Sequence, residues 1–150
     1  MKKIVTIVFA IMSLWFHAAF AEPEQNSTTS SAFFQTHGFV FFFASTCPYC
    51  HQFSPVLRRL ATSFQAQVLP LSFDNKPLPE FKDFQPATSD WTTLAFKNEA
   101  IHYPALFIVN PEIQALYPVS IGSLNENELV TRLDALIPKI IAYENTRSVS

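Results

Sequence analysis

The sequence predicts an α/β domain, a central sheet flanked by helices. Three observations point there. Gly38 to Ala44 is an unbroken apolar run, too short for a helix of its own and suited to a strand covered on both faces. Apolar residues at helical spacing follow at once: Phe53, Val56, Leu57, Leu60, Ala61 and Phe64, with Arg58 and Arg59 off that stripe. Val68 to Phe73 then returns to strand character. A crossover of this length makes the two strands parallel neighbours with a right-handed connection.

The remaining elements follow in order. Residues 1–21 have the three-part layout of an export signal: Lys2 and Lys3, an apolar run from Ile4 to Phe16, and Ala19-Phe20-Ala21 for cleavage after Ala21. That run is shorter than the roughly 20 residues that span a bilayer, and no later stretch is long and apolar enough to do so. Residues 22–37, polar and rich in Ser and Thr, read as a flexible lead-in outside the core. Pro48 suits the first turn of the helix and Pro55 lies inside it. Residues 74–86 form a polar, proline-rich loop, and Ser89 to Asn98 a short helix. Ala105 to Val109 and Ala115 to Ile121 are strands around the turn Asn110-Pro111-Glu112. The last helix starts at a capping box, Asn125 with Glu128, and buries Leu129, Leu133, Leu136, Ile137, Ile140 and Ile141.

The chain beyond residue 21 has the size of one ordinary domain. With 16 Phe and only 2 Gly among 150 residues, its interior should be aromatic and bulky. It has no block of Lys or Arg to neutralise phosphates, which argues against nucleic-acid binding.

The only two cysteines, Cys47 and Cys50, are followed directly by His51. C-x-x-C-H is also a c-type haem attachment pattern; His51 would then be proximal and His37 or His102 distal. A haem domain of that kind is generally helical, whereas this motif hangs from an apolar strand. Zinc would need Cys47, Cys50, His51 and His102 together, and Cys50 and His51, adjacent on one helix, point in different directions. A structural staple across two residues closes too small a loop to stabilise much. The dithiol reading explains more. Cys47 would begin a helix, where unpaired backbone N–H groups and the helix dipole favour a thiolate. Cys50, one turn in and more buried, would stay protonated until it resolves a mixed disulfide. His51 could add positive charge near the sulfurs, and Tyr49 should lie on the exposed surface around Cys47.

From Gly38 to about Ala142 the chain resembles the thioredoxin-fold family, on Cys47-Pro48-Tyr49-Cys50 at a helix start, Pro55 five residues on, and Tyr103-Pro104 before an apolar strand. The resemblance implies a mixed sheet over residues 38–143, a loop and short helix inserted before the cis-proline strand, and a tail from 144 to 150. It implies Cys47 and Cys50 as catalytic, Pro48, Tyr49 and His51 as support, and no cofactor beyond a redox-active disulfide. It further implies a cis Tyr103–Pro104 bond against the cysteines, with the Tyr103 backbone binding extended substrate. TCPYCHQFSPVLRRLA and PALFIVNPEIQALYPV are similar to the periplasmic thiol:disulfide isomerases encoded with F-type conjugative transfer systems. This implies exported, cysteine-containing clients, a membrane or periplasmic redox partner, and no stable membrane insertion. Three departures stand out. Phe41 occupies the position where related reductases carry a buried acid, and Tyr103 is bulkier than the usual Thr or Val. Residues 22–37 are too short for the separate dimerisation domain of V-shaped isomerases. A glutaredoxin-like reductase and a non-catalytic binding module of a secretion apparatus are the competing readings.

Overall fold

The structure, a computed structural model, describes residues 30–97 and 99–147. The expected export signal, residues 22–29 and residues 148–150 lie outside the described residues. The elements are β1 (Gly38–Phe43), α1 (Pro48–Ser63), β2 (Gln67–Ser72), β3 (Gln85–Pro86), α2 (Ser89–Phe96), β4 (Ala105–Asn110), β5 (Ala115–Ile121) and α3 (Glu126–Arg147). They form one five-stranded sheet in the order β3-β2-β1-β4-β5. β2 runs parallel to β1 and β3 parallel to β2, while β4 and β5 are antiparallel to their neighbours. The sheet is therefore mixed, and the β1-α1-β2 unit has the predicted parallel pairing.

All six residues of β1 are buried. Alternation across the strand divides them between two layers. Phe39, Phe41 and Phe43 join the cluster containing Phe53 and Leu57 of α1 and Leu129 and Leu133 of α3. Val40 and Phe42 face the opposite layer with Leu71, Phe96 of α2 and Phe107. A strand covered on both faces needs no polar side, which is why its sequence reads as a continuous apolar run. The two outermost strands each contain a proline, Pro86 in β3 and the exposed Pro118 in β5. β5 also pairs with β4 through an irregularity between Leu106 and Phe107.

The capping box at α3 forms as expected. The Glu128 N–H donates to Asn125 Oδ1 (3.0 Å), and the Asn125 N–H donates to Glu128 Oε2 (2.8 Å). Asn125→Ala should lower the unfolding free energy by about 1 kcal/mol, readable as a drop in Tm of about 3 °C by circular dichroism. The buried stripe of α3 is narrower than its periodicity predicted: Leu129, Leu133, Ile137 and Ile140 are buried, Leu136 is half-buried and Ile141 is exposed. The short helix ends at Phe96, and Lys97 caps it in the left-handed conformation (φ 49°). The loop of residues 74–86 is not uniformly polar surface, because Leu78 and Phe81 are buried in the core.

The lead-in requires correction. Residues 30–33 are helical, and Phe33 and Phe34 are buried. Phe34 packs on Phe39 (4.6 Å between ring centroids) and Phe64 (5.7 Å), and Phe33 stacks on His37 (3.9 Å). The buried His37 reaches across the domain, its Nε2 lying 3.2 Å from Glu144. Asn110 Nδ2 (3.0 Å) and the Tyr117 hydroxyl (2.8 Å) donate to the same carboxylate. Residues 30–37 and Glu144 thus belong to the domain rather than to a lead-in and a tail. Two adjacent Phe rings supply enough apolar area to dock even a segment otherwise rich in Ser and Thr.

Candidate active site

β1 ends at Phe43, and the chain turns through Ala44, Ser45 and Thr46 into α1. Cys47 is the N-cap residue with extended backbone (φ −86°, ψ 115°), and Pro48 opens the first turn. The Cys50 N–H donates to Cys47 Sγ at 3.2 Å, while the N–H groups of Cys50 and His51 also approach the Cys47 carbonyl. The sulfur therefore shares a first-turn amide of the helix start with its own carbonyl, at the end of the helix whose N–H groups and dipole favour an anion. Both thiols are free. Cys47 keeps a sliver of exposure (8%), whereas Cys50 has none. Burial pushes the Cys50 thiol up to about 12, and its hydrogen bond with Cys47 adds to the effect. One sulfur can be reached and the other cannot.

The Tyr103–Pro104 peptide bond is cis and faces the pair. Cys47 Sγ lies 3.9 Å from the Tyr103 carbonyl oxygen. Gly122 closes the loop from the next strand end, its N–H donating to the Pro104 carbonyl at 2.7 Å. It does so at φ +99°, where any side chain would be strained. Tyr49, Gln52, Tyr103, Pro104, Gly122 and Ser123 line a shallow groove of about 380 Å³. Tyr49 (63% exposed) and Tyr103 (44%) form its apolar walls. A larger depression of about 510 Å³ involves only Leu124 and residues of α3 and includes no part of the cysteine motif.

The structure thus brings Cys47, Cys50, Pro48, Tyr49, Tyr103 and Pro104 together. His51 is anchored on the backbone of the turn before the cysteines. Its Nε2 donates to the Ser45 carbonyl at 2.7 Å, so the ring braces the turn before Cys47. Two residues not singled out in the sequence complete that brace. Asp74 Oδ2 accepts from the Ser45 N–H (2.8 Å) and from the Ser45 hydroxyl (2.5 Å), and Oδ1 accepts from Ser72 Oγ (2.9 Å). Burial opposes its charge, but these hydrogen bonds outweigh it and hold the Asp74 carboxyl down at about 2. Parallel pairing of Phe43 with Ser72 sets the two strand ends side by side. That register is the signal that would have linked Ser45 to Asp74.

Residues 18–133 match the family model "TraF: F plasmid transfer operon protein". The chain belongs to this TraF family. A relative of the TraF-family chain is Protein TrbB of Escherichia coli (strain K12), 30% identical over 98 residues, which are 65% of this chain and 54% of that protein. The chain thus spans about half the length of the curated relative it matches. Solved structures similar to it include MTB dsbF (21% identity, TM-score 0.48, covering 71% of this chain and 84% of that one). StoA from Bacillus subtilis is another (14% identity, TM-score 0.47, covering 65% and 81%). This TraF-family protein is TrbB-like, and its fold is thioredoxin-like.

Proposed function

We propose that this protein is an exported thiol:disulfide oxidoreductase that works in the periplasm on cysteine-containing proteins of a conjugative transfer apparatus, as an isomerase more than as a pure oxidase. The asymmetry of its two sulfurs carries the reading. Cys47 sits at the mouth of α1 with its sulfur 3.9 Å from the carbonyl of the groove-lining Tyr103, while Cys50 is fully buried. The transfer context is supported by the family description, and the isomerase emphasis by the resemblance noted in the motifs.

The chemistry needs only the two sulfurs. The Cys47 thiolate attacks one sulfur of a client disulfide, and the other client sulfur leaves as a thiolate. Cys47 is now in a mixed disulfide. If a second client thiolate attacks the client sulfur of that bond, a new client disulfide forms and Cys47 leaves as thiolate. No net oxidation has then occurred. If Cys50 loses its proton and attacks Cys47 Sγ, the client departs as a thiolate and a Cys47–Cys50 disulfide forms. The client has then been reduced by two electrons, and a membrane or periplasmic redox partner must reduce the enzyme again. In both routes the Tyr103 backbone would bind extended client main chain, a reading supported by its carbonyl lying 3.9 Å from the reacting sulfur.

The test is refolding of a scrambled disulfide protein together with insulin reduction. Both activities should fall to the uncatalysed rate in Cys47→Ser. Activity that survives this change, with the fold intact by circular dichroism, would refute the proposal.

A further inference from the structure

Among the described residues, no carboxyl hydrogen-bonds the buried Cys50 thiol. The core cluster it shares includes Phe41, whose ring packs on Phe43 (5.4 Å), Phe53 (5.8 Å) and Phe81 (5.4 Å). Cys47, His51, Glu80, Arg58 and Asp74 are titratable or charged groups on this side of the domain. Cys47 accepts the Cys50 N–H, and His51 is turned away onto the Ser45 carbonyl. Glu80 is held by the hydroxyl of Ser54, one helical turn beyond Cys50, while Arg58 grips its carbonyl. Asp74 is anchored by Ser45 and Ser72 beside the turn that leads into Cys47.

We infer that Asp74 is a brake on the escape step: its fixed negative charge, clamped to the turn before Cys47, opposes formation of the Cys50 thiolate and so prolongs the mixed disulfide. This inference rests on the proposed function and deepens it. A mixed disulfide that Cys50 resolves slowly gives the client's own thiols time to rearrange, and the balance of products moves from reduction towards isomerisation. The electrostatics agree in sign: burial, the hydrogen bond with Cys47 and the Cys47 charge lift the Cys50 thiol, an Ala44 backbone hydrogen bond pulls it down, and the Asp74 charge adds a smaller lift. Hydrogen bonds from Ser45 and Ser72 keep Asp74 charged, so the brake is engaged at any pH at which the enzyme works. A carboxylate so well solvated by donors is also a poor acceptor for the Cys50 proton.

The experiment uses the full chain, reduced, and a neutral aromatic disulfide, dithiodipyridine. Attack by Cys47 releases a first thiopyridone and leaves a mixed disulfide on Cys47. Attack by Cys50 on Cys47 Sγ releases a second thiopyridone and closes the Cys47–Cys50 bond. The second phase reads the escape step alone. Asp74→Asn keeps an acceptor for Ser45 but removes the charge, and should quicken that phase about threefold. With a scrambled client, the same variant should give more reduced and less rearranged product. Raising the ionic strength with the unaltered chain should also quicken the second phase, because salt screens a half-exposed charge; this arm does not depend on the variant folding. An unchanged second phase in both arms would overturn the brake. A slower one in Asp74→Asn would also overturn it, making Asp74 the proton acceptor instead. If the unaltered chain shows no second phase at all, it is the oxidoreductase reading that fails.

Discussion

Cys50→Ala should convert the protein into a trap, with clients accumulating as mixed disulfides on Cys47 and insulin reduction falling to the uncatalysed rate. The reason is the division of labour between the sulfurs. Cys47 at the helix mouth keeps everything it needs for attack, including the Cys50 backbone N–H, which an alanine retains. What is lost is the intramolecular nucleophile that frees the enzyme when no client thiol does so. Alanine in place of a fully buried thiol disturbs the core little, so the variant should fold. Acid-quenched samples on a non-reducing gel should show higher-mass species that vanish on treatment with dithiothreitol. A Cys50→Ala protein that turns over insulin normally would contradict the assignment of roles.

The second large effect lies at the opposite end of the sheet. Glu144→Ala should destabilise the fold by about 3 kcal/mol, a fall in Tm of about 10 °C. Glu144 is the common acceptor for Asn110, Tyr117 and His37, and its removal leaves those mostly buried groups without it. The same network predicts how stability depends on pH. Burial works against the Glu144 charge, but hydrogen bonds from Asn110, Tyr117 and His37 outweigh it and hold the carboxyl below its ordinary value. A carboxyl depressed in the folded state stabilises the protein above its unfolded pKa of about 4.3, and that contribution drains away as pH falls through the lower folded value. At the alkaline end, burial and the bond to Glu144 push Tyr117 up to about 12. Its contribution is complete below the usual tyrosine pKa of about 10 and is lost as pH rises towards 12. Denaturant titrations at several pH values should therefore show Glu144→Ala with a flatter acid limb than the unaltered chain.

The elements that speak through local chemistry were legible in the sequence. The apolar run of β1, the helix opening at Cys47 and Pro48, the capping box at Asn125 and the strand after Pro104 each carry their signal within a few residues. So did the candidate site, because C-x-x-C and Tyr-Pro are short motifs. What escaped depends on partners far apart in the chain. His37 meets Glu144 across 107 residues, and nothing around either residue announces the other. Phe33 and Phe34 sit in a segment whose composition is that of a linker, and only the gap beside Phe39 and Phe64 makes them core. Ser45 and Asp74, 29 residues apart, are joined by strand register rather than by any pattern in their surroundings.

Under the proposed function, the prolines in β3 and β5 bear on how the protein would survive its clients. A catalyst of disulfide exchange meets chains that are partly unfolded and rich in unpaired strands, the species most prone to stick to a sheet border and seed aggregation. Here one border is two residues long and the other is irregular, and a proline in each deletes a donor. Neither offers an uninterrupted template for adhesion. On the proposed function, an incoming segment would be left with the mouth beside Tyr103 as its landing place, and would leave once its sulfur is released.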